Sequence, residues 1–190
     1  MNAFGGELIL MPSDNRQITP ELFTRMKAEL ARQAQAPDAF WADQFHNADA
    51  IAGYIPIGEE VLSQLGTGID VFCAAVGTAG MLVGVSRALK AGHCKAKIIA
   101  LEPAESPTLS TGQGGPHRVE GIGVGFKPPH LQSEDYDEIL TISEADGREM
   151  ARRPAREEGI LAGTSTGLNV SAGSTCYQPQ PKFYGCHRCL

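Results

Sequence analysis

Several things are missing from the sequence, and each absence excludes a class of function. No apolar run in the 190 residues approaches the length of a membrane span, so no membrane-embedded role is expected. No basic stripe is present and the net charge is −6, which argues against nucleic acid as a partner. The start, Met1-Asn2-Ala3-Phe4-Gly5-Gly6, lacks the basic and apolar regions of a secretory signal. Matched cysteine pairs are also lacking. The count is odd, at five, and Cys73 and Cys94 lie in or beside predicted buried elements, which favours reduced thiols and a cytoplasmic setting. Cys186-x-x-Cys189, with Cys176 or His187 nearby, has no second matched pair, so no metal site is assigned. Gly163-Thr164-Ser165-Thr166-Gly167 has the spacing of a hydrolase elbow, but no Asp or Glu follows Ser165 to complete a triad.

What is present is organised around residues 69–91. Ile69 to Val76 is short, apolar and rich in β-formers, and reads as a buried strand. Met81 to Ala91 carries Leu82, Val85 and Leu89 at helical spacing and ends in Lys90, Ala91 and Gly92. Between them lies Gly77-Thr78-Ala79-Gly80. A strand, a loop of small residues and a helix start together form an anion cradle, because free N–H groups and the helix dipole both favour negative charge there. It is neither a P-loop nor Gly-x-Gly-x-x-Gly, so any anion would rest on backbone N–H groups and the Thr78 hydroxyl. A tight strand-to-helix turn without a ligand accounts equally well for the loop alone.

Upstream, Glu7 to Met11 reads as a short strand. Thr19-Pro20 opens a helix with Leu22, Met26 and Leu30 on one face, ending near Gln35. Asn47 to Gly53 is a loop or single turn, and Ile57 to Leu65 a short amphipathic helix. Downstream, Lys97 to Leu101 is a second strand; joined to the first through a helix, it implies a βαβ unit and a parallel sheet. Residues 105–118 read as a mobile surface loop. Glu120 to Phe126 has glycine at every second position, which leaves one backbone face bare for a flat ligand or for close packing. Asp137 to Ile142 is a third strand, followed by a helix capped by Ser143. Gly147 and Pro154 inside that helix should weaken or kink it. From Ser171 no helical or strand period is visible, and residues 171–190 read as a divergent, disordered tail.

Five stretches, in order and at suitable spacing, together resemble the cysteine synthases (O-acetylserine sulfhydrylases) and their relatives. These are Gln44-Phe45, Val76 to Met81, Leu101-Glu102-Pro103, Glu120 to Phe126 and Glu158 to Gly167. The resemblance covers roughly residues 3–170 and is to the later portion of that family only. It implies an α/β fold, a three-layer parallel sheet with flanking helices of the pyridoxal-phosphate fold type II, here incomplete. Residues 1–39 would be a remnant of the small domain and 40–170 the larger cofactor-phosphate-binding domain.

By the same resemblance the cofactor is pyridoxal 5'-phosphate. Gly77, Thr78, Ala79, Gly80 and Met81 would hold its phosphate, and Gly121, Ile122 and Gly123 would lie beside its ring. Gln44 would lie near the carboxylate of a small amino-acid substrate. Ala79 and Met81 stand where the family pattern has glycine and threonine. The implied reaction is β-replacement on O-acetylserine or a related activated serine. The family's cofactor-anchoring lysine, and the asparagine loop that reads the substrate carboxylate, would both precede Met1. No catalytic residue is therefore assigned, and the chain is expected to be a truncated, inactive form. Of its lysines (27, 90, 95, 97, 127 and 182) only Lys127 lies near the proposed ligand wall. Other readings remain open: a non-catalytic module for a phosphorylated ligand or partner, or a fragment of a related lyase of cystathionine synthase or ammonia-lyase type. A family-like homodimer is the expected assembly. Gly147, Pro154 and the tail point to a degenerate gene product with a frameshifted end.

Overall fold

A computed structural model describes residues 2–12 and 20–176. The chain divides into two compact units, residues 1–42 and residues 43–190.

In the first unit, helix α1 (Pro20–Gln33) has Glu21 in its first turn and Arg32 in its last, each at the end its charge favours. Leu22 is buried, whereas Met26 and Leu30 are largely exposed. Thr19, the expected cap, lies outside the described residues. The expected strand at Glu7 to Met11 does not form: this stretch has no regular structure, and Leu8, Ile9 and Leu10 are exposed. An extended segment needs neighbours for its backbone groups and its apolar face, and this one leaves its apolar face in water. The Pro12 carbonyl is instead tied to α1, accepting from Arg25 Nη2 at 2.8 Å.

The second unit holds α2 (Asp49–Ala52), α3 (Ile55–Leu65), β1 (Val71–Ala75), α4 (Gly80–Ala91), β2 (Lys97–Pro103), α5 (Thr108–Thr111), β3 (Glu138–Ile142), α6 (Glu144–Glu157) and α7 (Thr164–Cys176). The three strands form a parallel sheet in the order β1-β2-β3. Cys73 pairs with Ile99, and Leu101 with Leu140. Alternation along the strands builds two cores. Phe72, Ala74, Ile98 and Ala100 pack with Leu82, Val85 and Leu89 of α4 and with Val61, Leu62 and Leu65 of α3. Cys73, Ile99, Leu101 and Ile142 pack with Leu168 and Ala172 of α7. Helices therefore cover both faces of the sheet, the three-layer α/β architecture expected from the sequence.

Three expectations change. Helix α7 continues six residues past Val170, to Cys176, so residues 171–176 are ordered helix rather than tail. Its buried residues are Gly167, Leu168 and Ala172, Val170 faces outward, and most of the rest is small or polar. Packing against α6 and β1 therefore holds a helix that amphipathic periodicity could not reveal. Residues 177–190, with Cys186 and Cys189, lie outside the described residues.

Gly147 does not break α6; it faces the neighbouring helix α7. A Cβ on its partner Gly167 would stand 1.9 Å from the Gly147 carbonyl oxygen and 2.5 Å from Ala151 N, so the two glycines mark a close α6–α7 crossing. Pro154 sits in the last turn of α6, where its carbonyl accepts from Glu158 N and Ile160 N and ends the helix.

The 105–118 stretch, finally, is not wholly superficial. Ser106, Thr108 and Glu102 are buried, and the Glu102 carboxylate accepts Leu109 N–H at 2.6 Å, Ser110 N–H at 3.1 Å and Ser110 Oγ–H at 2.6 Å, pinning α5 to the end of β2.

Candidate cofactor-phosphate site

The carboxyl end of β1 feeds directly into the loop at residues 77–79. Ala79 adopts a left-handed conformation, φ +69°, and α4 starts at Gly80. The first carbonyl–amide bond of the helix runs from Val83 N to Ala79 O at 3.0 Å. By helix geometry the N–H groups of Gly80, Met81 and Leu82 have no carbonyl a turn below them. Gly80 N–H reaches only the Thr78 hydroxyl, at a long 3.4 Å. Ala79 and Gly80 are buried, while Gly77, Thr78 and Met81 are half-buried.

The glycine-rich stretch is brought against this loop. Gly123 N donates to Val76 O at 3.1 Å, and a Cβ on Gly77 would stand 2.4 Å from Gly121 O. It is not a strand. Gly121, Gly123 and Gly125 have φ of +83°, +61° and +80°, so the stretch is a run of turns that only glycine makes cheaply. Ile122 points into the core and is buried.

Gln44 lies further along. Its backbone carbonyl accepts from His130 Nε2 at 3.1 Å, and the adjacent Phe45 meets Phe126 with ring centroids 5.3 Å apart. These contacts fasten the Gln44 segment to the far end of the glycine-rich wall rather than to residues 77–81.

Three further residues border the site; the sequence singles out neither Asn169 nor His117, and places Glu144 only in the first turn of the helix capped by Ser143. Asn169 Oδ1 accepts Ala75 N–H at 2.8 Å, just before the loop, and its Nδ2 donates to Ser165 O at 2.9 Å. His117 spans the glycine wall, with Nε2 donating to Gly123 O at 2.8 Å. Glu144, at the start of α6, accepts Arg118 N–H at 2.8 Å; that bond, with help from Arg148, holds its carboxyl below the ordinary carboxylate value. None belongs to a local motif. Each acts through a partner distant in sequence or in a turn.

All five lysines in the described residues are exposed. Lys90 donates to Glu134 O and Lys97 pairs with Glu138, while Lys182 lies outside the described residues.

A parallel α/β sheet whose first strand opens onto a glycine-rich helix start, walled by a second glycine run, is the architecture of a phosphate-carrying cofactor enzyme. The chain belongs to the family of pyridoxal-phosphate dependent enzymes, whose pattern it matches over residues 1–180. It is 38% identical over 177 residues to a cysteine synthase of Staphylococcus aureus (strain Mu50 / ATCC 700699), covering 90% of this chain and 54% of that protein. Its fold is similar to that of a cysteine synthase of Entamoeba histolytica, with a TM-score of 0.77 and 35% identity over 90% of this chain and 50% of that one. An O-acetylserine dependent cystathionine beta-synthase from Helicobacter pylori gives 0.74 and 35%, over 83% of this chain and 51% of that one. The chain thus spans about half the length of the relatives it matches.

Proposed function

We propose that this chain carries the phosphate-binding half of a cysteine synthase-like enzyme. The observation behind this is the juxtaposition of the α4 start with the Gly121–Gly123 wall, which leaves a bare backbone cradle beside outward N–H groups. The residues present fit pyridoxal 5'-phosphate. Gly77, Thr78, Ala79, Gly80 and Met81 would take the phosphate through N–H groups and one hydroxyl. Gly121, Ile122 and Gly123 would bound the ring, and Gln44 would lie toward an amino-acid carboxylate. The chemistry that this group supplies when bound is electron withdrawal, which lets the β-substituent of an activated serine leave and a nucleophile such as sulfide replace it.

The chain's own residues bind and orient in this reading; none supplies the covalent anchor. An anchoring lysine needs a desolvated amine, and the exposure of the five described lysines supports its absence from this chain. Catalysis by this chain alone is therefore not expected, and a cytoplasmic homodimer built as in the family is part of the proposal. The likeness to the cystathionine beta-synthase favours a second reading, in which the same half-site belongs to an enzyme of that type.

The test is an absorbance scan of the purified chain with pyridoxal 5'-phosphate, before and after borohydride reduction, followed by peptide mapping. The expected result is saturable binding, lost in Gly77→Ala, with the absorbance of the free aldehyde and no lysine adduct. A stable adduct on one lysine, Lys127 first, would overturn the assignment of inactivity. Binding unaffected by Gly77→Ala would overturn the cradle. Tight binding of simple phosphate esters, with no preference for the pyridoxal ring, would identify a non-catalytic phosphate-binding module instead.

A further inference from the structure

His117 sits on the loop before the glycine wall and uses both ring nitrogens. Its Nδ1 lies 3.2 Å from Val119 N, whose N–H can only donate, so Nδ1 must carry a lone pair. Its Nε2 lies 2.8 Å from Gly123 O, which can only accept, so Nε2 must carry the proton. The two contacts together fix the neutral Nε2–H tautomer without any choice of hydrogen placement. The ring is half-buried and Val119 is 1% exposed, so the Val119 N–H has no easy recourse to water. The fit is tight: a Cβ on Gly123 would stand 2.6 Å from His117 Nε2 and 3.1 Å from Pro103 Cγ. Gly123 is the residue whose N–H is bonded to Val76 O, one position before Gly77.

We propose that neutral His117 is a positioning residue that locks the Gly121–Gly123 wall against the end of β1, and that protonating its Nδ1 unlocks it. Protonation places a hydrogen on the nitrogen that accepts from Val119, so that bond is lost and two N–H groups face each other. The charged groups bordering the loop among the described residues include Glu102, whose carboxylate is bonded to Leu109 and Ser110, and Glu105, Arg118, Glu120, Glu144 and Arg148. Glu105 accepts the Glu144 N–H at 3.0 Å, and Glu144 accepts from Arg118 N and Arg148. The Arg118 N–H and Arg148 hold the Glu144 carboxyl below its ordinary value. The link to the cofactor rests on the function proposed above; the lock itself does not.

The experiment uses the full chain, labelled with nitrogen-15. Ring-nitrogen NMR at ~pH 8 should report the Nε2–H tautomer for His117. As the pH is lowered, the amides of Val119, Ile122 and Gly123 should shift with the ring, while that of Val85 in α4 should not. An Nδ1–H tautomer, or wall amides indifferent to the titration, overturns the lock. In equilibrium dialysis, H117F should weaken pyridoxal 5'-phosphate binding about three- to tenfold, the worth of roughly one hydrogen bond. H117Q, whose amide N–H can still reach Gly123 O, should recover most of it, and inorganic phosphate should bind all three forms alike. Equal cofactor binding by H117F and the unaltered chain overturns the positioning role. Failure of every form to bind either probe overturns the proposed function instead, and the NMR result still decides the lock.

Discussion

The side chain of Asn169 in α7 closes the end of β1, its Oδ1 accepting Ala75 N–H at 2.8 Å while its Nδ2 returns to Ser165 O at 2.9 Å. Among the described residues β1 is the outer strand on that side of the sheet, and a strand edge with open amides is both a liability and a loose foundation for the loop it feeds. One amide group thus serves the last residue of the strand two positions before Gly77. Asn169→Leu should leave the Ala75 N–H unsatisfied in a half-buried place and cost about 1–3 kcal/mol. Asn169→Asp keeps the acceptor and should cost less. Urea unfolding of the two variants checks this; equal losses would mean that packing of the side chain, not the bond, is what matters.

The α6–α7 crossing gives a sharper contrast between two glycines. Gly167→Ala would place a methyl 1.9 Å from the Gly147 carbonyl oxygen, so the helices must separate and the core around Leu168 must loosen. A loss of about 1–3 kcal/mol is expected. Gly147→Ala meets nothing closer than Thr164 O at 3.3 Å and gains helix propensity of about 1 kcal/mol, so its net effect should be small. Thermal melts of both variants decide between a crossing that needs one glycine and a helix merely burdened with two.

Ala79 holds a left-handed conformation at the start of α4, which an L-residue with a Cβ adopts at a cost of roughly 1–2 kcal/mol. Ala79→Gly removes that strain but frees the unfolded chain by roughly 0.4–1 kcal/mol. The balance favours the variant by a fraction of a kcal/mol to about 1 kcal/mol. A rise in melting temperature with unchanged phosphate binding is the expected result. A fall would show that the methyl is needed in the core, where Ala79 is 4% exposed.

The sheet was legible in the sequence because its strands are short apolar runs separated by one amphipathic helix; Val71–Ala75, Gly80–Ala91 and Lys97–Pro103 follow that pattern closely. Helix α7 was not legible in the sequence: its residues carry no helical period, and it is held by the close packing of Gly167, Leu168 and Ala172. The strand expected at Glu7 to Met11 failed for the opposite reason: its residues suit a strand, but its apolar side chains remain in water. In the site, the Gly77–Met81 loop could be picked out from chemistry local to it. Asn169 and His117 could not, since a lone Asn or His acquires its role only from the Ala75 amide or the Val119 and Gly123 backbone that folding brings to it.

Glu144 gives the last prediction, and its sign follows from its partners. The Arg118 N–H first, then Arg148, hold the carboxyl below its ordinary value of 4.5 in the folded chain, and its place in the first turn of α6 acts in the same direction. A carboxyl depressed by folding binds fewer protons folded than unfolded, so stability rises with pH across that interval. Its contribution is complete above the unfolded value and disappears as pH falls through the lower, folded one. Glu144→Gln should therefore be less stable than the unaltered chain at neutral pH, by under about 1 kcal/mol for a group partly open to solvent. The gap should shrink once pH drops below about 4. Urea midpoints measured across the acid range test this directly. A gap that stays constant from neutral to acid pH would show that the substituted amide loses packing or geometry at Arg118 rather than charge.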